Sequence, residues 1–329
     1  MTGIADTIRR AAEDVEEFRG DYEELAAVMR DSWADGPSAP YLYTADLLAE
    51  WLGYPGMELA PAIYTDDGLV AFAAGLPRQV EIAGVTRRIL ISTFLTVASA
   101  QKEAGYGIVV WSELMRRAAA AGYDGVVNYC ADGQAMHRMI ETGCRLLDLP
   151  LMRVKSFSYL VGTLAPALRT GGSSGERLPA RRLVEAAAGD AERGRDDARA
   201  RLWREWSDAE AEWQLSRSGA IAVGDGDAVL TGNVATVADA ARSRYLVVDD
   251  VLWASARMEG RQRLLADLLA QAVNDGAGYV VLPVMGYADV CPFLAAGLIP
   301  SPHTMHAYLT LWSDPAVVQT VERYYLDVI

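Results

Sequence analysis

At 329 residues the chain has room for about two ordinary domains. Its apolar and charged fractions, 51% and 22%, are those of a globular protein and exclude a disordered or fibrous chain. No apolar run reaches the roughly 18–20 residues of a membrane helix. Residues 1–6 lack a basic stretch followed by an apolar one, and a net charge of −14 disfavours nucleic acid and anionic lipid as partners. The expectation is a cytoplasmic protein with no membrane and no nucleic-acid partner.

Residues 7–11 read as a short strand entering a helix near Asp14. Tyr22 to Trp33 carries apolar residues at helical spacing. Residues 36–40, Gly-Pro-Ser-Ala-Pro, break it. A second helix follows from Thr44, a suitable N-cap, to Leu52. Residues 62–65 and 69–74 are strands joined by an Asp-Asp-Gly turn. Residues 89–97 form a buried strand, 108–121 a helix ended by Gly122 to Gly125, 126–130 a strand, 134–142 a helix and 157–161 a strand.

The composition then changes. Residues 169–178 are linker-like, and residues 187–213 read as one charged helix with Trp203, Trp206 and Trp213 as a packing seam. Beyond them the first half repeats. Ala62-Ile63 and Asp67-Gly68 recur as Ala220-Ile221 and Asp225-Gly226. Strand 89–97 recurs as 245–252, Lys102-x-x-Gly105 as Arg257-x-x-Gly260, and Tyr159-Leu160 as Tyr308-Leu309. The offset drifts only from 158 (Ala62 to Ala220) to 149 (Tyr159 to Tyr308), which marks a tandem duplication.

Cys130, Cys144 and Cys291 have no disulfide or zinc spacing and read as small buried residues. His137, His303 and His306 form no metal motif, so no metal is expected. The chain has only two lysines, Lys102 and Lys155.

Chemistry concentrates in Val97-x4-Lys102-x-x-Gly105-x-Gly107. A buried strand ends, a loop carries one cation and two glycines, and a helix begins. Glycines let backbone approach a ligand closely, and the first N–H groups of a helix have no partner within it. Together with the helix dipole they suit a pyrophosphate.

This segment resembles the pyrophosphate loop of the GNAT superfamily, the acyl-CoA-dependent N-acyltransferases, although Lys102 stands where Arg or Gln is usual. The order of elements over residues 4–165 is similar too. The resemblance implies an α/β (α+β) chain of two GNAT-like domains, 1–168 and a degenerate 179–329. Each is a mixed, mostly antiparallel sheet flanked by helices, with two central strands splayed into a wedge for acyl-CoA. It implies that Leu95, Thr96 and Val97 line the pantetheine, and that Lys102, Glu103, Ala104, Gly105, Tyr106, Gly107 and Ile108 cradle the pyrophosphate. In the second copy Gln262 replaces the small residue, which argues for a domain that has lost CoA.

Many members place a glutamate on the strand before the loop and a tyrosine in the late helix. Here residues 88–99 hold no carboxylate, and Met139 stands in the tyrosine's place. His137, Tyr129 and Asp132 are the substitutes at hand for moving protons. Each has a plainer reading: a surface histidine, a strand residue, a helix cap. Asp249 and Asp250 sit on the corresponding strand of the second copy, one of them facing its wedge unless solvated near the strand end.

The function implied is transfer of an acetyl or other short acyl group from acyl-CoA to an amine or hydroxyl of a small metabolite, with no metal. The alternatives are a decarboxylase, a thiol acyltransferase served by a carrier protein, or a non-catalytic acyl-CoA-binding module. Oligomeric state is open.

Overall fold

The computed structural model describes residues 14–34, 41–131, 134–165, 178–193, 201–312 and 321–327. They fall into two compact units. The first takes its residues from Met1–Val80, Gly84–Val154 and His306–Thr320, the second from Glu81–Ala83, Lys155–Met305 and Val321–Ile329. The strand expected at residues 7–11, the break at 36–40, Asp132 and most of the 169–178 linker lie outside the described residues.

The first unit opens with β1 (Val15–Glu17), so residues beyond Asp14 form a strand where a helix was expected. β1 pairs antiparallel with β2 and leaves no continuous chain for a helical turn. α1 (Tyr22–Trp33) follows, with Asp21 accepting from the Glu24 N–H at 2.9 Å and Leu25, Ala26 and Met29 fully buried. α2 (Ala45–Leu52) is capped by Thr44, as its sequence predicts. β2 (Pro61–Thr65) and β3 (Gly68–Ile82) form the expected hairpin, and β4 (Val85–Val97) follows. A short 3₁₀ turn (Ser99–Ala104) leads into α3 (Tyr106–Ala120), then β5 (Gly125–Ala131) and α4 (Ala135–Leu146). The strand order is β1-β2-β3-β4-β5. α3 is the core of this unit: Val110, Trp111 and Leu114 are fully buried against Leu90, Val126 and Ile140.

The second unit holds β6 (Met152–Thr163) from Lys155 onward, α5 (Ala180–Arg193), β7 (Arg201–Glu205), α6 (Asp208–Ser216), the hairpin β8 (Ala220–Asp225) and β9 (Ala228–Thr236), β10 (Arg244–Leu252), α7 (Met258–Asn274), β11 (Tyr279–Pro283), α8 (Cys291–Ala295), the first part of β12 (Ile299–Leu311) and β13 (Arg323–Tyr325). The order is β6-β11-β10-β9-β8, and β13 pairs with β7. From the hairpin β8–β9 to β12 the elements repeat β2 to β6 in the order the duplication predicts, whereas the opening α5-β7-α6 differs from β1-α1-α2 and β13 has no counterpart.

The single charged helix expected over 187–213 is instead two helices with β7 among them. Trp203 lies on β7 and Trp206 just past it. A capping box at Ser207, whose hydroxyl accepts from the Glu210 N–H while Glu210 accepts from the Ser207 N–H, starts the second helix afresh. Trp203 and Trp206 are core residues as expected, whereas Trp213 is half-buried under Arg217.

The last strand of each repeat changes units. β6 follows α4 in the chain but pairs with β11, from Tyr159↔Pro283 to Thr163↔Tyr279. From His306 onward β12 lies beside β5 in the first unit. The Trp312 N–H donates to the Asp124 carbonyl at 3.0 Å, and a Cβ on Gly125 would stand 2.2 Å from the Thr310 carbonyl oxygen. Gly125, read from sequence as part of a helix stop, is required by this close approach of backbone.

Candidate active site

β4 and β5 run parallel and pair through only four residues, from Ile89↔Gly125 to Ser92↔Asn128. Beyond that, β4 continues to Val97 and β5 to Ala131 as strands that have parted. Two residues past the last pair stands Phe94, whose φ of +54° is a left-handed conformation rare for an aromatic residue. Such a bulge flips the alternation of side chains. Leu90, before it, and Leu95 and Val97, after it, all pack on the α3 cluster. Thr96 is left on the other face, 2% exposed, its hydroxyl without a hydrogen-bond partner.

The Ala98 N–H donates to the Val70 carbonyl on β3 at 2.8 Å. Successive peptide groups of an extended strand point to opposite edges, so those of Leu95 and Val97 face the edge that β5 has left. The opening is therefore a wedge with a strip of backbone along one wall.

At its mouth the 3₁₀ turn hands over to α3 through Gly105, φ +80°, a left-handed position that glycine occupies without strain. No side chain caps α3, and a Cβ on Gly105 would meet nothing within 4 Å. The N–H groups of Tyr106, Gly107 and Ile108 thus begin a helix whose first turn is open, with Lys102, Glu103, Ala104 and Gly105 exposed before it. Gly107 has a packing role: a Cβ there would lie 3.2 Å from Val97 and 3.3 Å from the Met139 sulfur.

Lys102 reaches backward. Its ammonium donates to the Ser32 carbonyl at 2.9 Å, at the end of α1. Beside it, the Ser99 N–H donates to the Asp31 carboxylate at 2.9 Å and the Ser99 hydroxyl to the Asp31 carbonyl at 3.0 Å. The Ser99 backbone bond first, then its side chain, hold the Asp31 carboxyl below its ordinary range, against a smaller opposing effect of burial. The loop is therefore stitched to the C-terminal turn of α1, a link the spacing of residues 97–107 gave no sign of.

The proton-moving candidates are spread apart. Tyr129 is buried on β5, one residue past the last pair with β4. Cys130, on the opposite face, is buried in the α3 core, and burial pushes its thiol up to about 12, so it is no ready nucleophile. His137 lies on α4, its ring stacked on Tyr308 with centroids 4.9 Å apart and its Nε2 3.6 Å from Glu141. Met139 is two residues on, about 200° around the helix. Met139, not His137, therefore borders the loop. Tyr308 and His306, whose rings lie 6.2 Å apart, come from β12. Sequence reasoning gave neither a place beside the proton-moving candidates, because the position of Tyr308 against His137 depends on the change of units. Cys144 is buried as expected, but Cys291 is exposed.

The corresponding strands of the second unit also part, β10 and β11 pairing only from Tyr245↔Tyr279 to Val247↔Val281 with a bulge between Val248 and Asp250. Here the opening is filled. The Val251 N–H donates to the Tyr287 hydroxyl at 3.0 Å. Asp250, 4% exposed, accepts from Thr231 and from the Tyr325 hydroxyl at 2.7 Å, and Trp206 donates to that hydroxyl at 2.8 Å. Asp249 accepts from Arg217 at 2.7 Å and Gln214 at 2.9 Å. Burial pushes its carboxyl up to about 6 against the pull of Arg217. Neither aspartate is solvated in the way a strand-end acid often is. Gln262 is exposed on α7, so crowding by its side chain is not what closes this opening. Isothermal titration of the full chain with CoA should accordingly give a stoichiometry of one; two equivalent sites would mean that Tyr287 and Tyr325 vacate the second opening.

Among the described residues no helix is long and apolar enough to cross a membrane, and no group of three or more His, Cys, Asp or Glu is placed to hold a metal.

No family model matches the sequence, and no curated protein matches it. Solved structures do. N-myristoyltransferase of Saccharomyces cerevisiae with bound myristoyl-CoA is similar at a TM-score of 0.70 and 13% identity, over 95% of this chain and 85% of that one. A GCN5-related N-acetyltransferase from Kribbella flavida is similar at 0.57 and 16%, over 92% of this chain and 71% of that one. The fold is the GNAT fold. The likeness to N-myristoyltransferase runs over nearly the whole of this chain.

Proposed function

We propose that this chain is an acyl-CoA-dependent acyltransferase of the GNAT type, moving an acetyl or other short acyl group to an amine or hydroxyl of a small metabolite in the cytoplasm. The observation that carries the reading is the parting of β4 from β5 after Ser92↔Asn128, beside the open first turn of α3. In this reading Leu95 and Val97 pair with the pantetheine, with Thr96 between them on the same strand. The N–H groups from Glu103 to Ile108 receive the pyrophosphate. Lys102 moves from the Ser32 carbonyl toward it. As repeats in the sequence the two halves are residues 1–168 and 179–329.

Acyl-CoA supplies an activated thioester; the protein must hold it, receive a neutral amine and return a proton to the thiolate. With Met139 bordering the loop and no carboxylate on β4, positioning does most of this work, and Tyr129, His137 and Asp132 remain the proton-handling candidates. The same two features favour, as a second reading, a thiol acyltransferase fed by a carrier protein.

The test is release of free thiol from acetyl-CoA by the full chain, with and without mixed small amines. Amine-dependent release supports the first reading, and binding without turnover would replace it with an acyl-CoA-binding module. If His137 passes the proton, His137→Gln should lower turnover by roughly 10²–10⁴-fold with CoA affinity kept. Unchanged turnover and pH–rate profile would remove it from the mechanism.

A further inference from the structure

The face of β4 away from α3 carries an aromatic block at the bulge. Phe94, 8% exposed, stands edge-on to Tyr43 with centroids 6.2 Å apart and edge-on to Trp51 at 5.8 Å. Tyr41 joins both, at 6.4 Å from Tyr43 and 6.2 Å from Trp51. Tyr43 is 8% and Trp51 9% exposed. Trp51 sits in the last turn of α2, and the Tyr43 carbonyl is held by Arg30 of α1 at 2.7 Å, so the block is anchored to both helices.

Its position decides what it can do. Given the proposed reading, a pantetheine paired along Leu95 and Val97 brings its thioester to the bulge. Past that point the wedge closes, because Ser92 and Asn128 are already paired. The side toward α3 is packed solid by Leu90, Val126 and Cys130. The remaining way out for an acyl chain is the opposite face, where the bulge sets Phe94 and where strand alternation also places Tyr129. Aromatic rings packed edge-to-face between β4, α2 and the segment before it do not rearrange as methionines or leucines would.

We propose that Phe94, clamped by Tyr43 and Trp51, limits the acyl donor to short chains and is the specificity-determining residue of the site. This rests on the acyltransferase reading and adds which donors it takes. The backbone at Phe94 offers a clean variant, since glycine accepts a φ of +54° without strain.

Affinities of acetyl-, butyryl- and octanoyl-CoA for the full chain are measured by isothermal titration, on wild type, Phe94→Gly and Phe94→Leu. The wild type should bind acetyl- and butyryl-CoA alike and octanoyl-CoA at least about tenfold more weakly, the scale on which pockets reject added methylenes. Phe94→Gly should erase that gap while acetyl-CoA changes by less than about threefold. Phe94→Leu, which keeps more of the core volume, should narrow it. Wild type that binds octanoyl-CoA as tightly as acetyl-CoA overturns the gate and leaves the acyltransferase reading standing. A folded Phe94→Gly or Phe94→Leu protein with undiminished discrimination does the same. A wild type that binds none of the three overturns both.

Discussion

Gly105→Glu should abolish CoA binding while leaving the fold in place. The position has left-handed backbone, φ +80°, so any side chain costs about 1–2 kcal/mol of strain. It has no neighbour within 4 Å of a Cβ, so the side chain itself meets no steric obstacle. What it does meet, in the proposed reading, is the pyrophosphate. A carboxylate beside a phosphate costs several kcal/mol, and each 1.4 kcal/mol is tenfold in affinity. The loss should therefore be at least about 10²-fold by calorimetry. Gly105→Ala separates the two effects: it carries the strain without the charge and should lower stability while keeping CoA affinity within about tenfold. A Gly105→Glu protein with wild-type affinity would move the phosphates away from α3 altogether.

The second large effect is on stability. Asp250→Leu removes the acceptor shared by Thr231 and the Tyr325 hydroxyl. It also takes a carboxyl group from the neighbourhood of Arg204, 2% exposed, which keeps Asp327 at 3.0 Å and Glu210 at 3.7 Å. Deleting one member of a buried charged network costs about 3–5 kcal/mol. In a domain of this size that is roughly a 10 °C fall in Tm, readable by calorimetry. Asp250→Asn refines the result. Burial raises the Asp250 carboxyl, against the bonds from Thr231 and Tyr325 and the charge of Arg204. If the group is ionised at neutral pH, the amide turns one acceptor into a donor facing a donor and costs about 1–3 kcal/mol. A neutral Asp250→Asn substitution would show that the acid already carries a proton. A full-stability Asp250→Leu protein would show that the filled opening is held by its aromatic rings alone.

Much of the architecture was legible because it rests on local signals. The helix at 22–33, the cap at Thr44, the hairpin before Gly68 and the repeat of landmarks at a near-constant offset all depend on neighbours in sequence. The shape of residues 97–107 was legible for the same reason, being a strand end, a left-handed glycine and a helix start within eleven residues. What stayed hidden is non-local. The Phe94 bulge has no glycine to announce it, and its conformation is held by Tyr43 and Trp51 from more than forty residues away. The Asp31–Ser99 bonds join residues 68 apart. Tyr308 beside His137, and the reason for Gly125, come from the last strand of the second repeat. Trp203 and Trp206 deceived because their spacing suits a helix as well as a strand followed by a turn.

The change of units has a consequence for synthesis. On a ribosome the edge of β5 is complete by Ala131, but the strand that covers it begins at His306, so about 175 further residues must emerge first. At about 5–20 residues per second that is roughly 9–35 s during which an almost fully buried, apolar strand offers unpaired N–H and C=O groups to whatever is near. Order of birth and order of completion are thus reversed: the unit made first is finished last. Chaperones that shield unpaired strands should therefore matter for about half of its translation, and slowing the ribosome in the second repeat should harm the first.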